Sequence, residues 1–114
     1  IDIPNSSTTN GTQAHLWDCN GGSNQLFTRS SAGELKANGK CLDAEGWGSA
    51  NGTRVVIWDC SGGANQRWNV NANGTITNAH NGLCLDAMGA ATANGTQIIL
   101  WTCSGTSNQQ WTLT

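Results

Sequence analysis

The segment CLDAEGWGSANGTRVVIWDCSGGANQRW, Cys41 to Trp68, returns 43 positions later as CLDAMGAATANGTQIILWTCSGTSNQQW, Cys84 to Trp111, without a gap. An offset of 41 brings back a third copy: Asp2 falls on Asp43, Trp17 on Trp58, Cys19 on Cys60, Asn24 on Asn65, Gln25 on Gln66 and Phe27 on Trp68. Internal repetition of this kind constrains the architecture more than any single residue does. The 114 residues therefore read as one domain of three copies, over about 1–31, 32–72 and 73–114. A feature kept in every copy serves either the fold or a site present three times.

Each copy reads as about four short β-strands separated by turns. The tripeptide Asn-Gly-Thr begins at Asn10, Asn51, Asn73 and Asn94. Asn-Gly supplies the positive-φ residues of a tight hairpin turn. The runs 54–58 and 97–101, rich in Val, Ile and Leu and each ending in Trp, follow two of these turns. No helical period with caps is present, so the class is all-β. The same four Asn, with Asn5, match the glycosylation pattern Asn-x-Ser/Thr; turn chemistry accounts for the four.

Fifteen Gly in a polar chain would suit disorder, but six Trp and five Cys argue against it. Charged residues are only 11%, and the five Lys and Arg are scattered, so no basic face is offered to nucleic acid. No apolar run approaches membrane-spanning length, so no membrane insertion is expected. Regularly spaced cysteines in a small chain point to a secreted, extracellular protein. Cys41 and Cys60 are 19 apart, as are Cys84 and Cys103, which predicts one disulfide in each of these two copies. Each would close a loop of about twenty residues and contribute about 3 kcal/mol. A metal site would need clustered Cys or His ligands, and none are clustered; no cofactor is implied.

Trp68 and Trp111 follow Asn-Gln, and Phe27 takes the same place in the first copy; these three are expected in the core. Trp17, Trp58 and Trp101 each precede a Cys by two residues. They are either further core aromatics or exposed stacking platforms. A sugar ring presents C–H groups on one face and hydroxyls at its edge. An aromatic plane suits the face; a carboxylate or amide suits the edge. Asp2, Asp43 and Asp86 supply such carboxylates, unless they cap turns. Asn24, Asn65 and Asn108 can donate and accept at once. Gln25, Gln66 and Gln109 either join them or hold them in place.

C-L-D, L/I-W-x-C and N-Q-x-W, in register over the whole chain, resemble the ricin-B-like β-trefoil lectin family. Within it the chain is most similar to carbohydrate-binding modules of secreted actinobacterial polysaccharide hydrolases. The resemblance implies a β-trefoil of pseudo-threefold symmetry, with an Asp–aromatic–Asn pocket in each copy. Carried over copy by copy, the sugar-binding positions are Asp2, Trp17, Asn24 and Gln25; Asp43, Trp58, Asn65 and Gln66; Asp86, Trp101, Asn108 and Gln109. Many ricin-type lobes have a sugar-binding Gln two residues before the aromatic. This chain has His15, Val56 and Ile99 there. A tight galactose pocket of the ricin kind is therefore not expected in the second and third copies, while His15 could replace the Gln in the first. Asn5 is a further candidate in the first pocket. Trp47, in the Gly-rich EGWGSANG, either packs over its copy or adds a stacking surface.

Glycoside hydrolysis usually needs two carboxylates in different environments. Here three of the seven acidic residues recur once per copy, and no Ser/His/Asp or Cys/His arrangement stands out. The expectation is a non-catalytic module, bound to oligo- or polysaccharide and covalently linked to a catalytic domain, with xylan or β-glucan as ligand. The alternatives are a free-standing galactose or cell-surface glycan lectin and a trefoil interaction scaffold without a sugar site.

Cys19 has no partner at this spacing, because counting back 19 gives position 0. The first copy also lacks the strand that precedes C-L-D elsewhere. Omission of about a dozen residues, completion by a neighbouring molecule and a free thiol each explain this, and omission is the expectation.

Overall fold

The computed structural model describes residues 1–112. Among them are eight strands and no α-helix. Strands β1 (Thr28–Arg29), β2 (Leu35–Ala37), β3 (Lys40–Ala44) and β4 (Val55–Trp58) form one antiparallel sheet in that order. Strands β5 (Trp68–Val70), β6 (Ile76–Asn78), β7 (Cys84–Ala87) and β8 (Ile98–Trp101) form a second of the same order. In the first copy the corresponding pairing is a single bridge between Asp2 and His15.

Register fixes what each strand presents. Along β3 and β4, Cys41 pairs with Trp58, Leu42 with Ile57, Asp43 with Val56 and Ala44 with Val55. Along β7 and β8, Cys84 pairs with Trp101 and Asp86 with Ile99. The Asp thus lies opposite the residue two before the Trp in each copy, which is His15, Val56 or Ile99. The two cysteines bracket each pair, and both expected disulfides form: Cys41–Cys60 and Cys84–Cys103, with Cα atoms 5.2 Å apart in each.

The core is where equivalent segments of the three copies meet. Ala14, Val55 and Ile98 are fully buried and linked by main-chain bonds: Ala14 N to Val55 O and Ile98 N to Ala14 O. Ile3, Leu42 and Leu85 belong to the same buried cluster. Trp68 is buried and its indole N–H donates to Leu42 O; Trp111 donates likewise to Leu85 O but is only partly buried, as is Phe27.

The Asn-Gly-Thr turns do more than reverse the chain. Asn10 Nδ2 donates to Asp59 Oδ2, Asn51 Oδ1 accepts from Thr102 N, and Asn94 Oδ1 accepts from Asp18 N. These three turns therefore clasp the next copy at the residue following Trp58, Trp101 or Trp17, whereas Asn73 Oδ1 accepts only from Thr75 of its own turn. The Asp59 carboxyl is also bound by Lys40, and these bonds hold its pKa below the usual value. Cys19 is exposed and forms no disulfide.

Candidate functional site

Three open clefts recur, one per copy. The first, about 410 Å³, brings together Asp2, Asn5, His15, Trp17 and Asn24. The second, about 470 Å³, brings together Asp43, Trp47, Trp58, Asn65 and Gln66, with Glu45. The third, about 720 Å³, brings together Asp86, Trp101, Asn108 and Gln109, with Met88 at its wall. Of the candidate residues, only Gln25 lies off the lining of its cleft.

The three Asp side chains are buried, at 4–6% exposed, whereas Trp17, Trp58 and Trp101 are 44–48% exposed. The contrast follows from register. In the second and third copies the Asp sits inside its strand opposite an apolar residue and the Trp ends its strand, where its ring clears the core; in the first copy a single bridge between Asp2 and His15 stands in for the strand pair. Of the two readings of these Trp, burial in the core is therefore excluded.

Each carboxylate is fixed by amides. Asp43 Oδ2 accepts from Gln66 Nε2 at 2.8 Å and Asn65 Nδ2 at 3.2 Å. Asp86 Oδ2 accepts from Gln109 Nε2 at 2.8 Å and Asn108 Nδ2 at 3.1 Å. Asp2 Oδ2 accepts from Gln25 Nε2 at 2.8 Å and Asn24 Nδ2 at 3.0 Å. Each Gln amide also donates to the carbonyl before the Cys position and accepts from the backbone N–H after it. Gln66 and Gln109 are about 1% exposed, so with these bonds the Gln positions brace the carboxylate.

The other carboxylate oxygen separates the copies. Oδ1 of Asp43 and of Asp86 accepts no hydrogen bond among the described residues, because Val56 and Ile99 opposite have nothing to donate. Oδ1 of Asp2 is engaged by His15 Nε2 at 2.7 Å, and the imidazole stacks on Trp17 at 5.4 Å between centroids. His15 therefore uses up the carboxylate oxygen that the other two clefts leave open.

Burial holds the Asp43 carboxyl above its usual pKa, with the nearby Glu45 charge adding to the rise, against hydrogen bonds from Gln66 and Asn65 that lower it. A raised native pKa means the folded chain takes up this proton more readily than the unfolded one. Asp43 therefore works against folding at neutral pH, and that cost disappears as pH falls through the window between its raised value and the ordinary one. The ionised carboxylate is the stronger hydroxyl acceptor. On acidification the second cleft is expected to lose affinity in that window without Asp43 weakening the fold. Titrating binding and melting temperature in parallel from pH 7 to pH 3 checks this.

The chain belongs to the ricin-type β-trefoil lectins: the family model described as "Ricin-type beta-trefoil lectin domain" matches residues 1–111. It is thus a carbohydrate-binding lectin fold, a binding module of the β-trefoil class. Nigrin b of Sambucus nigra is 34% identical over 78 residues, covering 68% of this chain and 14% of that protein. Serine protease 1 of Rarobacter faecitabidus is 50% identical over 44 residues, covering 39% of this chain and 8% of that protein. The chain therefore spans a small part of the curated relatives it matches.

Among solved structures, the designed threefold-symmetric protein ThreeFoil is 33% identical with a TM-score of 0.87, covering 97% of this chain and 86% of that one. A non-toxic homologue of type II RIPs from Momordica charantia, in complex with α-methyl-D-galactoside, is 27% identical with a TM-score of 0.84, covering 97% and 41%. An exo-β-1,3-galactanase from Clostridium thermocellum is 26% identical with a TM-score of 0.81, covering 96% and 26%.

Proposed function

We propose that the chain is a non-catalytic module through which a secreted glycoside hydrolase holds polysaccharide, xylan or β-glucan, at up to three sugar sites. The observation that carries this is one arrangement made three times: a half-exposed Trp beside a buried, amide-braced carboxylate. The indole takes the C–H face of a sugar ring, and the carboxylate and Asn amide take hydroxyls at its edge. One shallow site of this kind binds at about millimolar, near −4 kcal/mol. Three sites on one polymer gain roughly 10²-fold through effective concentration. Weak sites used together suit an enzyme that must stay on an insoluble polymer and still move along it.

Attachment to an enzyme is supported by the likeness to the Clostridium galactanase and the Rarobacter protease, in both of which the matching part is a fraction of the chain. A second reading, a free-standing galactoside lectin, is favoured by the likeness to the Momordica protein in its galactoside complex. Native gels cast with xylan, laminarin or galactan separate the two. Retardation by xylan or laminarin is the expected result, and retardation by galactan alone moves the assignment to the second reading. Free migration in all three gels removes the sugar sites altogether, and release of reducing sugar by the pure chain removes the non-catalytic assignment.

A further inference from the structure

The second cleft differs from the other two at two positions of one turn. Glu45–Trp47 corresponds to Pro4–Ser6 in the first copy and Met88–Ala90 in the third. All three turns place two successive residues in the left-handed region, the second of each pair being Ser6, Trp47 or Ala90, with φ between 52° and 59°. A bulky aromatic is strained there. Burial does not compensate, because Trp47 is half exposed. Its ring meets His80 edge-on at 5.0 Å and lies so close over Gly63 that a Cβ there would fall 2.7 Å from Trp47 Cζ2. The strained indole is therefore held at the mouth of the cleft that Trp58 also lines.

Glu45 stands beside it. Its Oε2 accepts from Arg54 Nη1 at 2.8 Å, which offsets its charge, and its other oxygen accepts nothing among the described residues. In the same cleft, Asn65 Oδ1 is buried without a hydrogen-bond partner among the described residues. The pair Trp47 and Glu45 repeats the chemistry of Trp58 and Asp43: an aromatic plane with a carboxylate acceptor next to it.

We propose that Trp47 and Glu45 form a second sugar subsite, so that the second cleft takes two consecutive units of a neutral sugar chain where the other clefts take one. This rests on the carbohydrate-binding assignment above. The acceptors are carboxylates, so the ligand must be rich in hydroxyl donors. An acidic sugar would meet Asp43 and Glu45 with like charge.

The test uses calorimetric titration of the Trp17→Ala, Trp101→Ala double variant, in which the second cleft keeps its platform. The probes are xylose against xylobiose and galactose against β-1,3-galactobiose. The disaccharide of the preferred series is expected to bind about tenfold more tightly than its monosaccharide. Trp47→Ala and Glu45→Gln should each erase that gain while monosaccharide affinity stays. Equal affinity for the two lengths, or a gain that survives both substitutions, overturns the subsite. Absence of binding by the native chain to every sugar overturns the carbohydrate assignment and the subsite with it. As a measurement independent of the folding of Trp47→Ala, the pair Met88→Glu, Ala90→Trp should build the same gain into the third cleft of a Trp17→Ala, Trp58→Ala chain. Position 90 already has the left-handed backbone. No gain there also counts against the subsite.

Discussion

Replacing Trp17, Trp58 and Trp101 together by Ala is expected to abolish retention on polysaccharide while the fold remains. Each ring is nearly half exposed, and the apolar residues that anchor β4 and β8, Val55 to Ile57 and Ile98 to Leu100, stay buried. Loss of the rings should therefore cost little stability, within about 1–2 kcal/mol in total. Binding behaves oppositely. One lost platform removes most of a site worth about 4 kcal/mol, and losing all three also removes the roughly 10²-fold multivalent gain. The control is Trp68→Ala. That ring is buried, its N–H donates to Leu42 O, and its loss should cost about 3–5 kcal/mol of stability. Electrophoresis in polysaccharide gels, paired with thermal melts, reads both effects. A triple variant that unfolds, or one still retained, contradicts the division between platform and core aromatics.

Reduction of the two disulfides is the second large effect. Each closes a loop between residues 19 apart, and the chain-entropy model assigns about 3 kcal/mol to each. Their sum approaches the whole stability of a small domain, about 5–15 kcal/mol. Cys84→Ala with Cys103→Ala should lower the melting temperature by on the order of 10 °C, and full reduction should leave little folded protein at 37 °C. Position matters as well as loop length. Cys60 and Cys103 lead directly into the turns that carry Asn65 with Gln66 and Asn108 with Gln109. Sugar affinity is therefore expected to fall in the single-disulfide variant at a temperature where it is still folded. Melts and binding under graded reductant check both parts.

Much of the site was legible because the chain repeats it. Asp43, Trp58, Asn65 and Gln66 keep their places in two other copies, and the structure collects each set around one cleft, except that Gln25 lies off the lining of the first. The two disulfides were legible for the same reason. Other features depend on contacts between copies, which periodicity does not encode. The Asn-Gly-Thr turns were readable as turns, but the role of three of them as clasps needs contacts such as Asn51 with Thr102, 51 residues away. Asp18, Asp59 and Thr102, each just before a cysteine, are what the clasps hold.

The difference between clefts was half visible. His15 stood out as the departure from Val56 and Ile99. That it takes up Asp2 Oδ1 requires the cross-strand register. Glu45 was missed because it occurs in one copy only. The available signal was its adjacency to Trp47, two residues on in the same turn, in a stretch where the other copies have Pro with Ser and Met with Ala. Trp111 and Phe27 were expected in the core and are only partly covered, whereas Trp68, in the equivalent place, is buried.

The central claim is that sugars bind at the exposed tryptophans and not at the buried ones. The most direct measurement is a two-dimensional ¹⁵N–¹H spectrum of the indole N–H groups during titration with xylo-oligosaccharide, and then with laminari- and galacto-oligosaccharides. The account predicts saturable shifts of the Trp58 and Trp101 signals, with those of Trp68 and Trp111 unmoved. Silence of Trp58 and Trp101 with every sugar, or movement confined to Trp68 and Trp111, would contradict it.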